Sequence, residues 1–176
     1  GTGKSTIAKE LFPDTYIFFF FYSEGSVIDD MPKDKSVKEI TKAFTSVGFA
    51  SPPSWLKPYS VLSNGEKMRC DLAKSILEEK EIVVFDEFTS VVNREVAKTG
   101  SFAIQKAIRK LNKKFVAVGC HSDIIEWLQP DWIYNTDEQR FFFVQTNTND
   151  LKLNWKYSGT QTIRMRFGSP LKSIII

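Results

Sequence analysis

The chain has 176 residues, 42% of them hydrophobic and 26% charged, which is typical of one soluble globular domain with a sizeable core. A net charge of +3 at pH 7 is too small to require nucleic acid as a partner, and two cysteines give no disulfide framework. We therefore expect a cytoplasmic protein in which Cys70 and Cys120 are small buried apolar residues. The longest apolar run, YIFFFFY at residues 16–22, is far shorter than the roughly 20 residues that span a bilayer.

Short apolar runs alternate with longer helical patterns, which predicts an α/β domain with a mostly parallel sheet flanked by helices. The predicted helices span residues 5–11, 36–47, 65–79, 95–111 and 122–128. The predicted strands span residues 16–22, 82–85, 115–119, 132–134 and 141–144. Three prolines in residues 51–59 (SPPSWLKPY) predict an irregular segment between the second and third helices.

The first residues, GTGKST, match the second half of the phosphate-binding pattern G-x-x-x-x-G-K-[ST], so we expect the loop and its strand to begin before Gly1. The glycines let backbone N–H groups converge on phosphate oxygens, and the helix that follows adds the positive end of its dipole. The lysine would reach the β- and γ-phosphates, the serine would coordinate Mg²⁺, and the threonine after it would contact the α-phosphate. The candidate nucleotide-binding residues are Gly1, Thr2, Gly3, Lys4, Ser5 and Thr6.

Two carboxylates, Asp86 and Glu87, follow the apolar run IVVF at residues 82–85. A buried parallel strand would deliver both of them to the carboxyl edge of the sheet, where phosphate loops also emerge. Asp86 would then hold Mg²⁺ through a water and Glu87 would polarise an attacking water. The alternative is a core strand that simply ends in a solvated acidic pair.

The character of the chain changes after residue 144. A polar break, TNTND, precedes LKLNWKY and TIRMRF, which alternate at strand period around residues 158–161 and predict a hairpin. From residue 151 onward there are basic side chains and no acidic one. Residues 146–176 are therefore interpreted as an added hairpin or as the opening of a second domain, with a nucleic-acid contact as a weaker alternative.

Residues 62–67 (LSNGEK) resemble the LSGGQ signature of ATP-binding-cassette (ABC) ATPases, with Asn64 and Glu66 as departures. Ser63 is also a good N-cap for the helix that follows, which would be a purely structural role. The segment TSVVN at residues 89–93 is similar to the D-loop of the family, with Asn93 where aspartate is usual. His121, after the strand FVAVGC, matches the switch histidine of these ATPases.

These motifs stand in the family's order, so residues 1–143 are identified as resembling an ABC ATPase: a P-loop NTPase fold with a reduced helical subdomain, in a domain of residues 1–145. The resemblance implies ATP and Mg²⁺ as cofactors, Ser5 and Asp86 as metal ligands, and Glu87 and His121 as catalytic residues. It also implies a head-to-tail dimer in which one copy closes over ATP bound to the other. The residues implied at that contact are Ser63, Asn64, Gly65, Glu66 and Asn93.

Departures from the family pattern narrow the function. No glutamine occurs in residues 1–67, whereas ABC transporter domains use one there to couple the nucleotide site to membrane helices. The resemblance therefore favours a soluble, non-transporter ATPase. The stretches IDDMP, SVGFASPPSWLKPYSVLSNGEK and FDEFTSVVNREVAK are similar to ABC ATPases fused to a predicted acetyltransferase domain, phage-associated members included.

The competing interpretation is an ATP-gated dimerisation module, associated with DNA and with little turnover. The basic stretch RKLNKK at residues 109–114 and the basic tail are its only sequence support for nucleic acid. Because a sheet without its first strand exposes an edge, we also expect low stability and little activity for residues 1–176.

Overall fold

The computed structural model describes residues 3–17, 20–145, 154–157 and 172–175. Its helices are α1 (Lys4–Leu11), α2 (Val37–Ser46), α3 (Pro52–Trp55), α4 (Asn64–Leu77), α5 (Arg94–Leu111) and α6 (Ile124–Leu128), with a 3₁₀ turn at Tyr59–Val61. Its strands are β1 (Tyr16–Ile17), β2 (Ile82–Phe85), β3 (Lys114–Val118), β4 (Trp132–Asn135), β5 (Arg140–Gln145), β6 (Asn154–Tyr157) and β7 (Lys172–Ile175).

The described strands form one mixed sheet in the order β1-β2-β3-β7-β4-β5-β6. Neighbouring strands from β1 to β4 in that order are parallel, whereas β5 pairs antiparallel with both β4 and β6. The predicted α/β class with a largely parallel sheet is therefore confirmed. Because all the parallel strands point the same way, their carboxyl ends lie along one edge of the sheet.

Helices cover both faces of the sheet. On one face Ala8 of α1 packs with Val84, Val116, Val118 and Trp132. On the other face a larger core joins α2, α4 and α5 to the sheet, and Phe44, Leu72, Ile104 and Phe115 are among its fully buried side chains. This two-sided burial explains why β2 and β3 consist almost entirely of apolar residues.

The predicted helices are confirmed to within two residues at each end, and three of them begin at identifiable caps. The Ser36 hydroxyl accepts a hydrogen bond from the Glu39 N–H, and the Glu39 carboxylate accepts one from the Ser36 N–H. The same reciprocal capping box joins Ser63 and Glu66 at α4. These side chains satisfy N–H groups that the first helical turn leaves without partners, so the sequence itself sets where the helices begin.

The strand predicted at residues 16–22 is wrong in length, because β1 ends at Ile17 and residues 20–22 are not in a strand. Beyond β1 the chain turns toward α4. The Phe21 carbonyl accepts a hydrogen bond from Lys74 Nζ at 3.0 Å, and the Tyr22 ring stacks on Tyr59 with 4.0 Å between ring centroids. These contacts hold the Phe21 backbone and the Tyr22 side chain against α4 and Tyr59, away from the sheet.

The prediction that residues 51–59 are wholly irregular is also wrong. Pro52 and Pro53 begin the short helix α3, where a missing backbone N–H costs nothing because the first helical turn has no partner for it. Trp55 anchors that turn by donating its indole N–H to the Phe49 carbonyl at 2.8 Å. The prolines therefore shape the segment instead of excluding a helix.

Cys70 is buried, as predicted, but Cys120 is exposed, because it follows Gly119 where the chain has already left β3. Of the predicted tail hairpin, LKLNWKY contributes β6, whereas its turn and TIRMRF lie outside the described residues. No strand was predicted at residues 172–175, where β7 pairs with β3 and β4.

Removing the Phe44 ring tests the main core. Phe44 is fully buried and contacts the rings of Phe49 and Trp55 at 5.1 and 5.4 Å between centroids. We expect Phe44→Ala to lower the free energy of unfolding by about 3–5 kcal/mol, measured by urea denaturation. Val37→Ala is the matched control on α2, because Val37 is 66% exposed, and its effect should stay within about 0.5 kcal/mol. Equal losses in the two variants would contradict this description of the core.

Candidate functional site

The carboxyl edge of the parallel strands gathers the predicted catalytic residues. Asp86 and Glu87 come directly after β2, and His121 lies three residues after the end of β3, the neighbouring parallel strand. The turn after β2 is joined to β3 by a hydrogen bond from the Phe88 N–H to the Val118 carbonyl at 2.8 Å. The two segments therefore leave the sheet side by side.

A tyrosine hydroxyl lies close to both predicted magnesium ligands. Tyr16, in β1, donates a hydrogen bond to Asp86 Oδ2. The Ser5 side chain of α1 is near enough to act on the pKa of Tyr16 in the lowering direction. Burial, followed by the hydrogen bond to Asp86, raises the pKa of Tyr16 to about 12, so the hydroxyl stays protonated at neutral pH. A serine hydroxyl and a carboxylate are oxygen donors of the kind that Mg²⁺ prefers, and they fit that ion here.

The helix α1 begins where the phosphate-loop motif predicts. Gly3 is its N-cap, with φ of 80° in the left-handed region that glycine adopts without strain. Lys4 is the first helical residue, and Thr6, one residue after Ser5, is exposed. Gly1 and Thr2 lie outside the described residues.

The turn after Asp86 holds two residues in a conformation that side chains rarely adopt. Glu87 has φ of 52° and Thr89 has φ of 67°, both in the left-handed region. Asp86 is 3% exposed, and its Oδ1 accepts the Glu87 N–H at 2.9 Å. Such strain costs about 1–3 kcal/mol and persists where surrounding contacts over-determine it, which is common at functional sites. Here the hydrogen bonds fix the turn and leave the Glu87 side chain exposed.

Besides the role in the dimer that the resemblance implies, the signature segment stabilises the start of α4. Ser63 caps α4, and its hydroxyl lies 2.8 Å from Glu66 Oε2. Ser54 donates to the other oxygen of Glu66 at 2.7 Å. The hydrogen bond from Ser54, followed by those from Ser63, lowers the pKa of Glu66 to about 2, so the carboxylate is ionised at neutral pH.

The signature segment also contacts the segment that resembles the D-loop. The Asn64 side chain donates to the Val91 carbonyl at 3.3 Å. Gly65 packs so closely on α5 that an added Cβ would lie 3.2 Å from Val96 Cγ1, so only glycine fits without a shift. Asn93 caps α5 by accepting the Val96 N–H at 2.9 Å. The first turns of α4 and α5 are thereby held against each other.

The loop that carries His121 is tied to α5. Arg94 makes a two-pronged ion pair with Asp123, with Nε 2.7 Å from Oδ2. The Arg94 guanidinium also lies over the Trp127 ring, 5.3 Å from its centroid. The interaction links the residue after Asn93 to the segment that follows His121. The His121 side chain itself is half-buried.

A pocket of about 200 Å³ opens between the sheet edge and α4. Asp86 and Glu87 line it from the sheet, and Asn64, Lys67 and Asp71 line it from α4. Neither the described residues of the phosphate loop nor His121 belongs to its lining. Asp86 and Glu87 therefore lie between α1, which contains Ser5, and α4, which follows the signature segment.

Two stacked tyrosines hold a half-buried carboxylate that lines this pocket. Tyr22 and Tyr59 donate to the two oxygens of Asp71 at 2.8 and 2.7 Å. Burial raises the pKa of Asp71 to about 6, although the tyrosine hydrogen bonds oppose that shift. This cluster was not predicted from the sequence. Its one sequence signal was a carboxylate on the apolar side of a helix, between Met68 and Leu72.

Tyr16 was missed for a different reason. Its side chain stands in an apolar run where it was counted as a core residue, and only the pairing of β1 with β2 brings it to Asp86. Arg94 was not identified either, because its partner lies 29 residues away in the chain.

Within the described residues there is neither a membrane-spanning helix nor a cluster of metal-binding side chains. No described helix has the length and hydrophobicity needed to cross a membrane. Among the same residues, no three side chains of His, Cys, Asp or Glu lie close enough together to hold a metal ion on their own.

The fold is similar to that of a solved ABC-transporter chain. An inward-facing structure described as a metal-chelate type ABC transporter superposes with a TM-score of 0.57 at 15% identity, over 90% of this chain and 82% of that one. A bacterial Atm1-family ABC exporter with ATP bound gives a TM-score of 0.48 at 18% identity, over 65% of this chain and 21% of that one. No family model and no curated protein matches the chain. The first superposition supports an ABC-type fold, whereas the acetyltransferase fusion and the phage association stay predictions.

Asp71 gives the stability of the protein a specific pH dependence. An aspartate in an unfolded chain has a pKa of about 3.9, and the folded value is about 6. Since the folded state binds this proton more tightly, the contribution of Asp71 to the free energy of unfolding is greatest below pH 4 and is lost as the pH rises through 6. The loss is roughly 2–3 kcal/mol.

We therefore expect Asp71→Asn to remove that part of the pH dependence, as measured by urea denaturation from pH 4 to pH 7.5. The control is Asp137→Asn, which removes an exposed carboxylate on the turn between β4 and β5. Parallel stability curves for wild type and Asp71→Asn over this range would show that Asp71 does not titrate as described.

Proposed function

We propose that this chain binds ATP with Mg²⁺ and hydrolyses it as a soluble ABC-type ATPase domain with a P-loop NTPase fold. The observation that carries the proposal is the convergence of Ser5, Tyr16 and Asp86 at the start of α1, where Tyr16 donates a hydrogen bond to Asp86 and lies close to the Ser5 side chain. A phosphate-binding motif supplies the first of these residues and the acidic strand supplies the last, so two motifs distant in the sequence meet where the chemistry requires both.

Each residue of this group has a definite task in the proposed reaction. Lys4 binds the β- and γ-phosphates, and Ser5 and Asp86 hold the magnesium ion. The bound ion would neutralise charge on the phosphate oxygens. Tyr16 holds Asp86 when nucleotide is absent, and its high pKa keeps it a hydrogen-bond donor.

Glu87 and His121 act on the water and on the γ-phosphate. The turn after β2 gives Glu87 an exposed carboxylate directly beside buried Asp86. The hydrogen bond between Phe88 and Val118 and the ion pair between Arg94 and Asp123 hold the Glu87 and His121 segments next to each other. A positioned base of this kind contributes roughly 10²–10⁴ in rate.

The active form in this proposal is a head-to-tail dimer. Ser63 and Gly65 of a second copy close over the γ-phosphate, and Asn64, Glu66 and Asn93 lie at the seam. Support comes from the hydrogen bond between Asn64 and the Val91 carbonyl, which joins the signature segment to the segment that resembles the D-loop. The absence of glutamine from residues 1–67 supports a role other than transport, because the usual coupling residue is missing.

Two substitutions separate nucleotide binding from hydrolysis. Lys4→Ala should abolish tight binding of Mg-ATP, because it removes the charge on the β- and γ-phosphates. Glu87→Gln should preserve binding and lower the rate of hydrolysis by roughly 10²–10⁴, because it removes the base alone. Binding is measured by calorimetry and hydrolysis by phosphate release.

The natural control is Glu95→Gln, which removes a carboxylate from the first turn of α5 and should leave both measurements unchanged. Equal loss of ATP binding in Lys4→Ala and Glu87→Gln would overturn the assignment of roles.

A second candidate is an ATP-gated dimerisation module with little turnover, and one observation favours the low turnover. Glu66 stays ionised down to a pH of about 2 and lies 2.8 Å from the Ser63 hydroxyl. In the proposed dimer that negative charge would face the γ-phosphate of the other copy. Like charges about 4 Å apart repel each other by about 1 kcal/mol in bulk water, so this charge would oppose closure.

Glu66→Gln tests this effect without removing the helix cap, because glutamine also completes a capping box. In a Glu87→Gln background, light scattering with Mg-ATP should show dimer at roughly three- to tenfold lower protein concentration when Glu66 is also replaced. Glu39→Gln is a matched control, since it makes the same change in the capping box of α2. If both substitutions strengthen the dimer equally, or if neither does, Glu66 does not lie at the dimer contact.

A further inference from the structure

Two hydrogen bonds fix the direction in which the Asp86 carboxylate points. Asp86 is 3% exposed, and its Oδ1 accepts the Glu87 N–H at 2.9 Å. Its Oδ2 accepts a hydrogen bond from the Tyr16 hydroxyl. A donor on each oxygen opposes rotation of the carboxylate about its bond to Cβ. An ionised carboxylate can accept about four hydrogen bonds, so both oxygens keep a free position for a metal ion or for a water bound to it.

The Tyr16 hydroxyl can hold Asp86 because the rest of Tyr16 is itself fixed. The Ile17 carbonyl beside it accepts the Asp86 N–H at 3.0 Å, so strand pairing ties the two backbones together. The Tyr16 ring packs against the apolar cluster that joins Ala8 of α1 to the sheet. On the same helix, Lys9 Nζ lies over the ring at 5.2 Å from its centroid. Tyr16 is therefore held both by the sheet and by the helix that begins at the predicted phosphate loop.

The same hydroxyl lies near the other residues of the proposed site. Burial is the largest influence on the pKa of Tyr16, but Ser5 lowers that pKa and Glu87 raises it, so both side chains lie close to the hydroxyl. Its proton is directed to Asp86 Oδ2. Tyr16 therefore acts on a metal ion at this site through the Asp86 carboxylate.

Mg²⁺ and Ca²⁺ differ in the carboxylate geometry that they favour. Mg²⁺ requires nearly octahedral coordination at about 2.0–2.1 Å, whereas Ca²⁺ takes about 6–8 oxygens at roughly 2.3–2.6 Å and can bind both oxygens of one carboxylate. A carboxylate with a donor on each oxygen cannot turn to present both oxygens to one ion without breaking a hydrogen bond. Asp86, as it is held here, therefore favours the smaller ion.

We propose that Tyr16 determines the metal selectivity of the nucleotide site, by holding Asp86 in the orientation that accepts Mg²⁺ and disfavours Ca²⁺. This inference rests on the proposed function for its nucleotide and its metal ion. Tyr16 is a positioning residue, because it acts on the ion through Asp86. In Tyr16→Phe the ring stays in its apolar cluster and Asp86 loses the donor on Oδ2, so the carboxylate is free to turn toward the larger ion.

Calorimetry tests this inference by binding alone, without hydrolysis. The affinity of wild type and Tyr16→Phe for ATP is measured with Mg²⁺, with Ca²⁺ and with EDTA in place of a metal ion. We expect the preference for Mg-ATP over Ca-ATP to fall by roughly tenfold or more in Tyr16→Phe, as is typical when a residue that orients a metal ligand is lost. Binding in EDTA should not change, which also shows that the variant is folded. The matched control is Tyr134→Phe, which removes a tyrosine hydroxyl at the same apolar cluster but three strands away from β2, and it should keep the preference.

A double substitution shows whether Tyr16 acts through Asp86. Asp86→Asn should weaken Mg-ATP binding, because it removes the charge that faces the ion. Adding Tyr16→Phe to Asp86→Asn should then leave the affinity for Mg-ATP unchanged, since residues that act as one unit are not additive. A further loss of Mg-ATP affinity in the double variant would overturn the proposal.

The outcomes separate this proposal from the proposed function. If ATP binds but the preference for Mg-ATP over Ca-ATP is absent from the wild type, or is the same in Tyr16→Phe, Tyr16 does not set the selectivity and ATP binding stands. If the wild type binds ATP in none of the three conditions, the proposed function fails and this proposal fails with it.

Discussion

The parallel pairing of β2 with β1 and with β3 is the constraint on which the candidate site depends. It places the ends of three strands at one edge of the sheet, so residues that follow those strands meet although they lie far apart in the sequence. Tyr16 contacts Asp86 only because β1 is paired beside β2. A register shift of one residue between β1 and β2 would turn the apolar side chains of β2 to the wrong face and move Asp86 away from Tyr16.

Several residues implied in nucleotide chemistry also hold the backbone in place. Ser63 and Asn93 cap α4 and α5, and Arg94 pairs with Asp123 after His121. Because these residues also stabilise the backbone, a loss of activity after substitution does not by itself identify a chemical role. Helix caps contribute about 0.5–2 kcal/mol to stability, so substitutions at these positions also act on the fold. Variants that keep the hydrogen bond and change only the charge separate the two effects.

The acidic side of the site combines charges of very different character. Asp86 is buried and receives hydrogen bonds from Tyr16 and from the Glu87 N–H, whereas the Glu87 side chain is exposed. Asp71, in α4, accepts hydrogen bonds from two tyrosines, and burial raises its pKa to about 6. Burial and hydrogen bonding thus give three carboxylates around one pocket three distinct environments.

The sequence by itself determined the fold class, the helices and the site motifs, because these depend on local patterns. Capping residues, apolar periodicity and the strand IVVF each act within a few neighbouring residues. Only the tertiary structure decided which distant residues meet. The early end of β1, the Tyr16 contact, the Asp71 cluster and the place of β7 between β3 and β4 all depend on pairing between segments that the sequence keeps apart. Such pairing is set by the packing of the whole sheet, and no short window of residues contains it.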